Sequence, residues 1–157
     1  MKVPFKTNLT GKTAIVTGGS GTLCSAMAYG LAVSGAKIAL IGRRLDNLQE
    51  VTDDIKVKAE REYGKKVIVK GYSCDVTDKI GLAQVYEIIK RELGSCDILV
   101  NGAGGNQPGA ITSIEALEKE KGADDYSFWN LDEDKIQDVM NLNYMGTLLP
   151  IQVFTKD

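Results

Sequence analysis

A doubly wound α/β fold built on a parallel sheet is what this sequence predicts, and three observations carry the prediction. From Thr13 onward, short apolar runs rich in β-branched residues alternate with longer amphipathic stretches, the signature of repeated strand-helix-strand units. The short runs are nearly all apolar, as strands covered by helices on both faces must be. A glycine-rich turn, Thr17-Gly18-Gly19-Ser20-Gly21-Thr22-Leu23, stands directly after the first run and opens a helix.

The elements follow in order. The first strand is Thr13 to Thr17 (TAIVT), and Leu23, Met27 and Leu31 mark the core face of the helix behind it by their spacing of four. The second strand is Lys37 to Ile41 (KIALI), followed by a helix with Leu48, Val51 and Ile55 inward. The third is Lys66 to Lys70 (KVIVK), followed by a helix with Leu82, Val85 and Ile89 inward, and the fourth is Asp97 to Val100 (DILV). Gly35 and Gly94 stand where helix carboxyl-terminal caps belong. A right-handed crossover between each parallel pair then makes the sheet doubly wound.

After the fourth strand the regularity stops. Residues 102–130 hold Gly104-Gly105, Pro108-Gly109 and Gly122, and a loop this long within a compact domain is more often functional than idle. It leaves the carboxyl end of a strand, where open α/β sheets bind ligands. A last amphipathic run begins near Leu131-Asp132, with Asp132 as N-cap and Ile136, Val139 and Met140 on one face, and reaches Val153-Phe154.

Composition narrows the chemistry. The chain has 157 residues, 43% hydrophobic and 25% charged, the size and make-up of one soluble globular domain. It contains no histidine, which excludes Ser-His-Asp and Cys-His catalysis and His-ligated zinc. Catalysis is left to Tyr, Lys, carboxylates or a bound cofactor. Lys and Arg number 19 against 21 Asp and Glu, without a basic block able to follow a phosphodiester backbone, so nucleic acid is not an expected partner. No stretch approaches the length of a membrane span or an export signal, and a cytoplasmic location is expected. Cys24, Cys74 and Cys96 are an odd, widely spaced set, read as buried thiols in a reducing compartment. The sequon Asn8-Leu9-Thr10 is then silent. No metal site is expected, because Asp124-Asp125 and Asp132-Glu133-Asp134 read as turn and helix-start carboxylates.

The turn after the first strand is the leading candidate site. It would aim backbone N–H groups at a helix N-terminus, where partial positive charge favours a pyrophosphate, and side chains larger than glycine would hold the phosphate off. Gly18, Ser20, Gly21 and Leu23 are its candidate binding residues. A tight strand-to-helix turn without a ligand is the plain alternative. A Walker A loop is excluded, since the glycine required ahead of Gly11-Lys12-Thr13 falls on Lys6 and the tripeptide precedes a strand.

With that turn, three further landmarks occur in order: Cys74-Asp75-Val76 after the third strand, Asn101-Gly102-Ala103-Gly104 after the fourth, and Asn143-Tyr144-Met145-Gly146 in the last helical run. Together they resemble the short-chain dehydrogenase/reductase family over most of the chain. The resemblance implies a Rossmann domain for dinucleotides. It implies that Asp75 and Val76 contact the adenine, that Asn101, Gly102, Ala103 and Gly104 line the cofactor cleft, and that Asn143 is the catalytic asparagine. The fuller runs Asn101 to Asn106 and Leu142 to Pro150 are similar to the sugar-acid branch that includes D-mannonate oxidoreductases (fructuronate reductases). The family pattern TGxxxGxG has glycine where Thr22 and Cys24 stand here, so the helix is expected to approach the sheet or cofactor less closely, with Gly21 compensating from one position earlier.

NAD-preferring enzymes place a carboxylate at the end of the second strand to bind the ribose hydroxyls. Here that place reads Gly42-Arg43-Arg44, and Arg43 could grip a 2′-phosphate. NADP(H) is therefore expected over NAD(H), against the plain reading of a basic pair on a helix's first turn. Carbonyl reduction also needs a proton donor and a stabiliser for the developing alkoxide, which the family supplies with Ser and Tyr-x-x-x-Lys after the helix that carries Asn143. The single Tyr-x-x-x-Lys here is Tyr86 with Lys90, between the third and fourth strands, and it is expected to be structural. Residues 1–157 therefore read as one incomplete Rossmann domain, ending after the fourth strand and its following helix. Alone it would be inactive and would bind at best the adenosine-phosphate half of the cofactor, with its fourth strand presenting an open edge. The complete protein is expected to be a homo-oligomer acting on a small polar carbonyl or alcohol. A non-catalytic Rossmann nucleotide-binding module is the rival reading.

Overall fold

The computed structural model describes residues 7–113 and 126–156. Four strands, β1 (Thr13–Thr17), β2 (Lys37–Gly42), β3 (Val69–Ser73) and β4 (Ile98–Val100), form one sheet in the order β3-β2-β1-β4. All pairs are parallel: Thr13 lies beside Lys37, Ile38 beside Val69, and Ala14 beside Ile98. The chain steps outward from β1 to β3 and then crosses back to place β4 on the other side of β1. That reversal puts the switch point between β1 and β4, where doubly wound sheets open a crevice at the strands' carboxyl ends.

Two apolar layers follow from strand alternation. Ala14, Val16, Ile38 and Leu40 point to the face covered by α1 (Thr22–Val33) and α2 (Leu45–Tyr63). Ile15, Ala39 and Ile41 point to the opposite face, covered by α3 (Lys79–Glu92) and by α5 (Gly146–Phe154) at the end of the chain. β1 is buried along its whole length. Asp78 caps α3 by accepting from the N–H groups of Ile80 and Gly81, and Gly35 and Gly94 follow the ends of α1 and α3 as expected.

Three expectations are corrected. The third strand lies three residues later than Lys66 to Lys70, at Val69–Ser73. It is an outer strand, so it need not be apolar throughout: Gly71 lets α2 come close, since a Cβ there would sit 2.9 Å from that of Leu48, and the Tyr72 hydroxyl donates to Glu92 on α3 at 2.7 Å. Of the expected inward face of α1, Leu23 and Met27 are exposed and only Leu31 packs, half-buried, against the core. Leu23 is 74% exposed, and the buried residues are Cys24, Ala28, Ala32 and Val33. Small side chains face the sheet because the helix lies close to it beside the glycine turn. The last run is not one regular helix either. A 3-10 turn (Phe128–Asn130) leads to α4 (Glu133–Met140), then a π-helical segment (Asn141–Met145), then α5. Asp132 does cap α4, accepting from the N–H groups of Asp134 and Lys135. Its apolar face, with Ile136 and Met140, points to solvent in this chain.

Candidate functional site

The crevice at the switch point is built around Thr17, the last residue of β1. Its side chain is fully buried, and its Oγ1 accepts from the N–H groups of both Gly102, at 3.1 Å, and Ala103, at 3.2 Å. One hydroxyl thus ties the turn after β4 to the turn after β1. Gly18 completes the approach, because at φ +64° a Cβ would stand 2.6 Å from the Gly102 carbonyl oxygen. Both its conformation and the close contact require glycine. Gly21 N-caps α1, and no side chain caps that end, so the first-turn amides keep their polarity for a ligand.

Arg43 follows β2 and Asp75 follows β3. Ser73 donates to the Arg43 carbonyl at 3.0 Å and fixes the backbone there. The Arg43 guanidinium engages no carboxylate or carbonyl within hydrogen-bond distance among the described residues, whereas Asn47, with its amide oxygen turned toward it, accepts from Arg44 at 2.8 Å. The Asp75 carboxylate accepts from the Thr77 N–H at 2.8 Å and hydroxyl at 2.7 Å. Those bonds, with the Arg43 charge nearby, hold its carboxyl below the usual range. A cavity of about 220 Å3 gathers Gly18, Ser20, Gly21, Arg43, Arg44, Asp75, Val76, Gly102, Ala103 and Gly104, ten residues from four separate segments of the sequence. A second hollow of about 440 Å3 continues it past Arg43, Asp75, Gly104 and Leu142 toward Asp138.

Three candidate residues stand outside the first cavity. Leu23 is on the solvent side of α1 and lines neither hollow. Asn101 lies just after β4, and its Oδ1 is enclosed without a hydrogen-bond partner. Asn143 is in the π-helical segment, where its Oδ1 accepts from the Gly105 N–H at 2.9 Å and its Nδ2 donates to the Gly105 carbonyl at 3.0 Å. That pair locks the side chain against the turn after β4, and π-helical insertions recur at functional sites. Gly42, Cys74 and Leu142 also line the cavity. Each adjoins a residue singled out from the sequence, and that adjacency was the available signal. Thr17, too, begins the glycine-rich turn, but only the fold shows the two N–H groups that donate to it.

Tyr86 and Lys90 are elsewhere. Tyr86 is on the buried face of α3, accepts from the Cys96 N–H at 3.3 Å and packs edge-on against Phe154. Lys90 lies over its ring and pairs with Glu87. A further hollow, about 430 Å3, opens at the amino-terminal end of the strands. Its Lys37 and Lys65 are already committed to the Leu93 and Val33 carbonyls. Among the described residues no acidic or cysteine cluster fits a metal ion, and no helix is long and apolar enough to cross a membrane.

The family model for short chain dehydrogenases matches residues 12–157. The chain belongs to the short-chain dehydrogenase family. It is 40% identical to UxuB, an uncharacterized oxidoreductase of Bacillus subtilis (strain 168), over 99% of this chain and 52% of that protein. An oxidoreductase of Haemophilus influenzae is also 40% identical, over 100% of this chain and 53% of its own. Among solved structures, a candidate D-mannonate oxidoreductase from Haemophilus influenzae with bound NAD superposes with a TM-score of 0.86 at 38% identity, covering 96% of this chain and 51% of that one. An L-sorbose reductase from Gluconobacter frateurii, complexed with NADPH and L-sorbose, gives a TM-score of 0.72 at 25% identity over 96% of this chain and 49% of that one. The chain thus spans about half the length of the relatives it matches. The likeness to short-chain enzymes holds, and with it the doubly wound fold and the oxidoreductase assignment of the family.

Proposed function

We propose that this chain is the NADP(H)-binding part of a short-chain oxidoreductase that moves hydride between the cofactor and a hydroxyl- or keto-bearing carbon of a small polar substrate such as a sugar acid. The observation that carries the reading is the crevice itself. Glycines whose Cβ atoms would collide, an uncapped helix N-terminus and an unengaged guanidinium converge on one cavity. Those features fit a dinucleotide: the α1 amides and Gly21 for the diphosphate, Asp75 and Val76 for the adenine, and Asn101 to Gly104 for the cleft wall. When bound, NADPH supplies the hydride. Asn143, locked to Gly105, serves as the catalytic asparagine beside the reacting end.

The sugar-acid assignment draws on the relatives named for D-mannonate and L-sorbose. The proton donor of the family, Tyr with Lys, has no counterpart at this crevice among the described residues, and Tyr86 and Lys90 are built into the packing of α3. The chain by itself therefore binds nucleotide without turnover. The whole protein acts as a homo-oligomer in the cytoplasm, a setting that suits three free thiols.

NADP(H) is preferred because β2 ends in Gly42-Arg43 without a carboxylate. Isothermal titration with NADP+ and NAD+ tests this. NADP+ should bind more tightly, and Arg43→Ala should weaken it roughly tenfold or more, the worth of a charge-assisted pair to phosphate, while leaving NAD+ unchanged. Equal affinities, or tighter NAD+ binding indifferent to Arg43→Ala, would refute the preference. Carbonyl reduction by a sample of this chain's intact mass would refute the claim of binding without turnover.

A further inference from the structure

We propose that the Cys24 thiol and the bare α-carbon of Gly102 are one steric unit that sets the distance between the first turn of α1 and the turn after β4, making Cys24 a positioning residue for the diphosphate cradle. The proposal rests on the nucleotide-binding reading above. Cys24 is 5% exposed and stands in the first turn of α1. Its Sγ occupies the space into which a Gly102 side chain would project, so that a methyl there would overlap the sulfur outright. The same methyl would be 3.7 Å from the Cys24 Cβ, an ordinary contact, and 3.1 Å from the Thr17 carbonyl oxygen. One heavy atom therefore fits between the two elements, and in this chain it is the sulfur of residue 24.

The consequence for the site is geometric. The turn that carries Cys24 supplies the uncapped amides, and Gly102 carries an N–H already held by Thr17. Both walls of the cavity are thus spaced by this contact. The family pattern places glycine where Cys24 stands, and here the side chain at residue 24 is matched by the absence of one on the facing turn at Gly102. Burial raises the thiol's pKa, which suits a neutral packing atom.

The test is a cycle of Cys24→Ala, Gly102→Ala and the double variant, read by thermal unfolding and by titration with two probes. NADP+ carries the pyrophosphate; adenosine 2′-monophosphate does not reach the cradle. Cys24→Ala should weaken NADP+ roughly tenfold, the effect of one lost buried heavy atom at the contact, and leave adenosine 2′-monophosphate within about twofold. Gly102→Ala alone should unfold at a lower temperature or fail to fold. The double variant should fold and regain NADP+ affinity to within about threefold of the parent, because the alanine methyl takes the place of the sulfur. A double variant no better than Cys24→Ala, or one that fails to fold, would overturn the proposal. So would an equal loss for both probes, the pattern of a plain core residue. If the parent chain binds no NADP+, the nucleotide reading fails, and the unfolding cycle alone still decides whether the two positions are coupled.

Discussion

The crevice and the helical run after it are built on opposite principles. Around Gly18, Gly21 and Gly102 the site is made by side chains that are missing, so that backbone approaches backbone and polar main-chain groups line the cavity. Over residues 106–113 and 126–145 the chain displays side chains instead: Trp129 is 75% exposed, Tyr144 62% and Met140 56%, and α4 buries none of its residues. The first region is over-determined within this chain, since β1, β2, β3 and β4 all contribute to it. Among the described residues the second is held by the hydrogen bonds of Gln107 to Lys135 and Asp138, of Asp132 to Gly109 and of Asn143 to Gly105, and by the partly buried Leu142 and Met145. Small changes should therefore be severe in the one and mild in the other.

The largest effect is expected at Gly18. Gly18 and Gly64 share nearly the same φ, +64° and +62°, but Gly64 has nothing within 4 Å of an added Cβ whereas Gly18 meets the Gly102 carbonyl oxygen at 2.6 Å. Gly64→Ala should cost only the backbone penalty, about 1 kcal/mol. Gly18→Ala adds overpacking of two main chains and should cost about 3 kcal/mol or more and abolish NADP+ binding. Denaturant unfolding of the pair isolates the close approach from the shared conformation. Equal losses would mean that the two turns do not meet as described.

Next comes Thr17→Val, which keeps the shape and β-branching but removes the oxygen accepting from Gly102 and Ala103. Two N–H groups beside a fully buried side chain lose their partner, and the cost should be about 2 kcal/mol. Thr17→Ser, which keeps the oxygen, should lose less than half of that. If Val and Ser behave alike, the methyl rather than the hydroxyl holds the two turns.

The same contrast explains what could be read in advance. The order of elements, the caps at Asp132, Gly35 and Gly94, and most of the cavity's lining were legible, because apolar periodicity and glycine placement encode them locally. The inward face of α1 was not. Leu23 and Met27 are the larger apolar residues, and only the proximity of helix to sheet shows that Cys24, Ala28 and Ala32 must face inward. β3 was displaced because only Val69 of the apolar run Val67-Ile68-Val69 lies within it, and beyond Val69 its buried contacts come from Tyr72 and the close approach at Gly71. The pairing of Cys24 with Gly102 joins residues 78 positions apart by sequence number, and no local pattern reports it.

The smallest effect is expected on the exposed stripe of the helical run. Ile136, Met140 and Tyr144 recur at every fourth position with exposures of 37%, 56% and 62%, and a side chain already in water has little burial to lose. Met140→Ser should change the unfolding free energy of this chain by less than about 0.5 kcal/mol, the range for surface substitutions, and should leave NADP+ affinity unchanged. The measurement is denaturant unfolding at several protein concentrations. A loss that exceeds this range and grows with protein concentration would mean that the stripe is covered by a second copy in solution. The helical run would then be completed from outside the chain, as the crevice is completed from within it.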